Sequence, residues 1–213
     1  MLTSETALQA RGLHFSFGQQ TVLTDVDVDL TWGTVTAIAG ANGAGKSTLL
    51  ELLAGVRKPA SGSVDRADEV ALVVQRIAAP DTLPLTVADA VAMGTWGTRK
   101  RGRVTLSRSD RRARIAEALE RVRLADLANR PFTELSGGQR QRALIAQGLA
   151  RQARIFLLDE PATGLDAESR DRTRTILQAE ADRGAAVVCV SHDPEAIAAA
   201  DAVVMLGGGR RVD

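Results

Sequence analysis

Tyrosine is absent, and aromatic residues make up only 3% of the 213 residues. Alanine, valine and leucine must therefore fill any core. Cysteine occurs once, as Cys189, so an internal disulfide is excluded. Its place in the apolar run 185–190 reads as a buried core thiol, and nothing points to an oxidising compartment. Neither sign of charge dominates: 27 basic and 26 acidic residues leave a net charge of +1. That balance gives no global signal for nucleic acid. No window holds about 18 consecutive apolar residues, so no segment is expected to span a membrane. The opening MLTSETALQARGLHF lacks the apolar stretch of a signal peptide. Repeats and low-complexity linkers are missing too. The expectation is a soluble chain that needs a partner to hold it at any membrane.

What is present argues for a folded α/β chain. Hydrophobic residues are 45% of it, enough for a real core, and the length suits one domain with room for an insertion. Residues 8–30 read as strands. Val26, Val28 and Leu30 alternate with Asp25, Asp27 and Asp29, the period of a sheet with one wet face. Short continuous apolar runs at 34–39, 70–74, 154–158, 185–190 and 201–206 fit buried parallel strands. Between about Arg76 and Ala153 no convincing strand is visible. Ile115, Leu119 and Val122 recur there at helical spacing, with Ser109 or Asp110 as a possible cap and Pro131 beyond the end. Asp193-Pro194 reads as an N-cap followed by proline at the first helical position. Gly207–Gly209 reads as a turn or a frayed tail.

The strongest local signal is Gly40-Ala41-Asn42-Gly43-Ala44-Gly45-Lys46-Ser47, followed by Thr48. It matches the phosphate-loop pattern in full and lies between a strand and a helix. Glycines let successive N–H groups turn inward, and the helix start adds its positive dipole end. Lys46 can reach the outer phosphates, and the Ser47 hydroxyl can ligate Mg²⁺. The predicted fold class is α/β, a P-loop NTPase core with a mostly parallel sheet. It carries an N-terminal antiparallel β subdomain and a helical subdomain inserted at about 76–153, all within a single domain over 1–213. A second signal follows the apolar run 154–158, which ends in Asp159-Glu160. Asp159 at a strand's carboxyl end can hold Mg²⁺ or its waters, and Glu160 can orient or deprotonate an attacking water. A third is Leu135-Ser136-Gly137-Gly138-Gln139. Ser136 can cap a helix opening at the two glycines, which makes a second anion-binding helix start.

With LSGGQ between a phosphate loop and an Asp-Glu-Pro, the chain resembles the ABC ATPase family over nearly its whole length. The resemblance implies ATP and Mg²⁺ as cofactors, and a head-to-tail pair of chains. In that pair Ser136, Gly137, Gly138 and Gln139 of one copy cover the γ-phosphate held by the other. It further implies that Phe17, before Gly18, stacks on adenine, with Phe15 as the competitor. Gln75 would contact Mg²⁺ and water, Asp166 would cross the dimer interface, and His192 would touch the γ-phosphate. Glu160, His192 and Gln75 are then the catalytic set, with Ser47, Gln75 and Asp159 around the metal.

Partners follow from the same resemblance. They are a transmembrane permease, a second copy of the ATPase and an extracellular or periplasmic substrate-binding protein, at the cytoplasmic face of the cell membrane, with no nucleic acid. The stretch Leu85–Gly94, the basic residues Arg99, Lys100, Arg101, Arg103 and Arg108, and Ser109-Asp110-Arg111 resemble ATPases of metal-ion and metal-chelate importers. Zinc or manganese is the first choice and a siderophore the second. The rival class is a soluble ABC protein acting on ribosomes or DNA. One cassette without zinc-type cysteines or heptads weighs against it.

Overall fold

A computed structural model describes residues 5–73, 85–96 and 106–212. Gln75 and the basic residues Arg99, Lys100, Arg101 and Arg103 lie outside them. The described chain divides into two compact units. One comprises Met1–Gln75, Arg154–Pro161 and Leu177–Asp213; the other comprises Arg76–Ala153 and Ala162–Ile176. No helix among the described residues is long and apolar enough to cross a membrane.

In the first unit, β1 (Thr6–Phe17) and β2 (Gln20–Thr31) form an antiparallel hairpin. The alternation in β2 resolves as expected: Leu23, Val26, Val28 and Leu30 are buried, while Asp25, Asp27 and Asp29 are exposed. The sequence reading missed β4 (Ser61–Arg66), which pairs with the other side of β1. Its SGSVDR has no apolar alternation, and pairing with β1 overrides its weak propensity.

The second sheet of this unit contains β3 (Val35–Gly40), β5 (Val70–Val73), β6 (Ile155–Asp159), β7 (Ala186–Val190), β8 (Ala202–Gly207) and β9 (Arg210–Arg211). Their order is β5-β6-β7-β3-β8-β9. All neighbours are parallel except β9, which returns antiparallel to β8. Gly207 ends β8, and Gly208-Gly209 is a turn into a last strand. Helix α1 (Lys46–Ala54) buries Leu49, Leu50, Leu52 and Leu53. Each contributes about 2 kcal/mol of transfer free energy. That burial anchors the helix start, where the phosphate loop sits. The largest fully buried side chains are Phe156 together with leucines and isoleucines such as Leu8, Leu13 and Ile38, as the poverty in aromatics requires.

The second unit is helical: α2 (Val87–Ala92), α3 (Arg108–Arg121), α4 (Gly137–Ala150) and the first part of α5 (Ala167–Asp182). Its described residues hold no strand, only an isolated bridge between Thr86 and Pro131. Ser107 caps α3 by accepting from the Asp110 N–H at 3.0 Å. The cap is therefore neither Ser109 nor Asp110; Asp110 instead puts its negative charge in the first turn, where the helix dipole favours it. Next to α2, Gly94 lies so close to α4 that an added Cβ would run into the Gln147 carbonyl oxygen. Back in the first unit, α6 (Pro194–Ala198) starts as expected, with Asp193 accepting from the Glu195 N–H at 3.0 Å and proline at its first position.

Candidate nucleotide site

The phosphate loop leaves the carboxyl end of β3 and enters α1 through Gly45, which has φ +97°. Two of its glycines are obligatory for different reasons. A side chain at Gly40, φ +146°, would strike the Leu206 carbonyl oxygen on the neighbouring strand. One at Gly45 would press on Leu23 Cδ2 at 2.7 Å. Gly43 has open space around it but φ +80°, a turn that L side chains rarely adopt. Asn42 and Gly43 form an exposed turn, Ala44 is buried, and Thr48 is half-buried in the first turn of α1. No side chain caps that helix start and no acid sits in its first turn. Its N–H groups and positive dipole end are thus left for an anion.

Lys46 is 7% exposed, and its Nζ donates to the carbonyl oxygens of Gly40 and Ala41, each at 2.9 Å. The ammonium is folded back over its own loop, held where phosphate oxygens could replace the carbonyls as acceptors. Ser47 Oγ donates to Asp159 Oδ1 at 3.2 Å. That contact is informative because β7 runs between β3 and β6. Two strand spacings, about 10 Å, separate the parent strands. Only the turn of the loop into α1 lets the hydroxyl reach the carboxylate. Burial pushes the Asp159 carboxyl above its usual range; the Ser47 bond opposes this, Glu160 and Glu51 reinforce it, and Lys46 lowers it.

Glu160, the next residue, adopts φ +48°, and its N–H donates to Val190 O at 3.2 Å. That left-handed step turns the side chain away from the direction of β6. Its Oε1 stands 3.5 Å from His192 Nδ1, on the segment leaving β7. Adjacent acids thus face different groups, one the Ser47 hydroxyl and one the imidazole. Cys189, on β7, is partly buried, and desolvation pushes its thiol up to about 12, so it stays protonated at neutral pH.

At the end of β1, Phe17 is 47% exposed, whereas Phe15 packs against the core. The two rings meet edge to face with centroids 5.0 Å apart. Arg57, which no motif singled out, lies 4.9 Å from the Phe17 centroid and pairs with Glu51.

In the helical unit, Ser136 caps α4 through a reciprocal box. Its Oγ accepts from the Gln139 N–H at 3.3 Å, and its own N–H donates to Gln139 Oε1 at 2.9 Å. Gln139 is thus engaged in holding the cap. The two glycines differ. Gly137 has only an ordinary contact with Leu165 nearby, but a Cβ at Gly138 would come 2.5 Å from Ser169 Oγ. Gly138 is therefore required by packing as well as by bare N–H groups. Asp166 accepts from the Ser169 N–H at 2.7 Å, which holds its carboxyl below the usual range. Within one chain it stabilises the start of α5.

These features match known proteins. A family model described as "ABC transporter" matches residues 23–163. The chain is 38% identical over 200 residues to the zinc transport system ATP-binding protein TroB of Treponema pallidum, covering 90% of this chain and 74% of that one. It is 38% identical over 224 residues to the hemin import ATP-binding protein HmuV of Thermobifida fusca, covering 98% and 77%. Among solved structures, a metal-chelate type ABC transporter in an inward-facing conformation superposes with a TM-score of 0.87 at 32% identity, covering 97% of this chain and 82% of that chain. A complete phosphate loop, an acid pair at a strand end and a capped LSGGQ helix thus coincide with matches over nearly the whole chain, and the protein belongs to the ABC transporter family as an ATP-binding, ATP-hydrolysing subunit.

Proposed function

We propose that this ATPase drives uptake of a metal ion, zinc or manganese, through a separate transmembrane permease. Two identical chains work head to tail on the cytoplasmic face of the membrane, and an external or periplasmic substrate-binding protein delivers the cargo. The observation that carries the hydrolytic reading is the division of labour between neighbouring acids. Asp159 is held to Ser47, while Glu160 faces His192 at 3.5 Å.

The donor set suits Mg²⁺. Ser47 and Asp159 supply hard oxygens at the start of a phosphate-binding helix, and no group of three or more His, Cys, Asp or Glu among the described residues could cage a metal alone. Mg²⁺ takes one or two protein oxygens and completes its shell with phosphate and water. When bound it would neutralise charge building on the phosphates. Lys46 exchanges the Gly40 and Ala41 carbonyls for phosphate oxygens. Glu160 accepts the proton of the attacking water, and His192 and Gln75 position that water. Phe17 carries the adenine. Ser136 to Gln139 of one copy close over the γ-phosphate of the other, with Asp166 crossing the interface. Catalysis is then mostly positioning and electrostatics.

The cargo is read from likeness: named relatives include ATP-binding proteins of zinc and manganese transport systems at 38% and 36% identity. A second reading, a metal chelate, is favoured by the metal-chelate type transporter among the structural neighbours. The near balance of charge gives no global signal for nucleic acid, and none is assigned as a partner. Trapping tagged Glu160→Gln with ATP in native membranes tests the assignment. Recovery of a multi-span permease with a metal-binding receptor is expected. Recovery of ribosomes, DNA or no membrane protein overturns the partner assignment, and a chelate-binding receptor transfers the cargo to the second reading.

A further inference from the structure

The geometry around Phe17 contains a group that the catalytic scheme does not use. The guanidinium carbon of Arg57 lies 4.9 Å from the Phe17 centroid and 5.9 Å from the Phe15 centroid. The two rings are themselves 5.0 Å apart with planes at 86°. The guanidinium thus lies over the Phe17 ring with Phe15 close beside both. Phe15 and Phe17 are two apart in β1, on either side of a register shift between Phe15 and Ser16. Phe17 nevertheless keeps 47% of its surface exposed.

Arg57 is placed by the end of α1. Gly55, at φ +78°, reverses the chain, with its N–H on Leu52 O at 3.0 Å and the Val56 N–H on Glu51 O at 3.0 Å. This is the paired-bond helix ending that glycine makes accessible. The reversal carries Arg57 back beside Glu51, whose carboxylate pairs with its Nε. A surface ion pair of this kind adds little stability. Its effect is to orient a planar cation against a ring.

We infer that Arg57 is a positioning residue for the nucleotide base, backing Phe17 so that an electron-rich purine stacks on the opposite face. The inference rests on Phe17 being the base platform. A cation against one face draws π-density toward itself, which favours an electron-rich ring on the other. The cation and the Phe15 ring also fix the Phe17 ring before the base arrives, so less ordering is lost on binding. In a chain without tyrosine, a phenylalanine platform has no hydroxyl with which to anchor itself, and Arg57 takes that part.

The test compares binding of ATP and of inorganic tripolyphosphate to the full chain by calorimetry. Arg57→Ala is expected to weaken ATP roughly two- to five-fold, leave tripolyphosphate unchanged, and melt like the parent. Arg57→Lys should recover part of the loss. Phe17→Ala should weaken ATP by roughly ten-fold, and adding Arg57→Ala to it should cost nothing more. Unchanged or tighter ATP binding in Arg57→Ala beside a weakened Phe17→Ala overturns the inference and leaves the platform standing. Equal loss for ATP and tripolyphosphate places Arg57 on the phosphates and overturns it too, as do additive effects in the double variant. Unchanged ATP binding in Phe17→Ala removes the platform and the inference with it.

Discussion

Glu160 combines a chemical group with a strained backbone, and substitutions separate the two. Its φ of +48° lies in the left-handed region. That conformation costs a side-chain-bearing residue about 1–2 kcal/mol. Glycine escapes the steric cost but gives back about 0.5–1 kcal/mol as unfolded-state entropy. Glu160→Gly should therefore be more stable than Glu160→Ala by about 0.5–1 kcal/mol. For a chain of this size that is about 1–4 °C in Tm. Both variants lose the carboxylate that faces His192 at 3.5 Å. Both should lose turnover by roughly 10²–10⁴-fold, as should Glu160→Gln, while ATP binding persists. Thermal melting and steady-state phosphate release read the two effects separately. If the alanine variant melts at or above the glycine variant, the backbone stores no strain there. Near-parent turnover in any of the three would remove Glu160 as the base. The structural logic is that strain at this step points the carboxylate at the histidine, and such strain persists where the surrounding fold imposes it.

Lys46→Ala removes the ammonium that holds the Gly40 and Ala41 carbonyls. A charged hydrogen-bonding partner is worth about 1.5–3 kcal/mol, so nucleotide affinity measured by calorimetry should fall by about ten- to a hundred-fold. Burial raises the Asp159 carboxyl above its unfolded value of 3.8, so the folded chain holds that proton more tightly. The sign follows: ionised Asp159 costs stability above its folded pKa, and the cost is relieved as pH falls through that value toward 3.8. Nucleotide-free Asp159→Asn should thus melt higher than the parent at neutral pH yet lose Mg²⁺-dependent hydrolysis; a lower Tm would contradict the desolvation argument. Gly138→Ala forces a Cβ to 2.5 Å from Ser169 Oγ. Overpacking of this kind costs about 1–3 kcal/mol, and Ser169→Gly in the same chain should restore the melting temperature. Failure of that rescue would place the cost elsewhere.

The candidate nucleotide site was legible from the sequence because its motifs are contiguous. A phosphate loop needs glycines, Lys46 and Ser47 within one strand-to-helix turn, and the pattern names its own backbone geometry. The Asp-Glu pair and the LSGGQ helix are likewise local, and the capping box between Ser136 and Gln139 follows from residues three apart. Apolar runs gave the buried parallel strands, and alternation gave β2. Strand β4 stayed hidden because its residues carry no pattern and are held by pairing with β1. The cap of α3 moved from Ser109 or Asp110 to Ser107 because several adjacent polar residues could fill the role and only the backbone turn chooses among them.

The sequence by itself determined the chemical inventory: a glycine-rich loop running into Lys46 and Ser47, paired acids, a histidine after a buried strand and a capped helix opening on two glycines. Each is written in neighbouring residues, where backbone conformation follows from side-chain type. Only the tertiary structure decided which of these meet. The strand order sets β7 between β3 and β6, so His192 comes to Glu160 and Ser47 must reach across to Asp159. It also decided that Gly138 answers to Ser169, that Phe17 rather than Phe15 is exposed, and that Arg57 stands behind it. Those contacts join residues far apart in the chain, and their distances come from sheet order and helix packing, which no local pattern encodes.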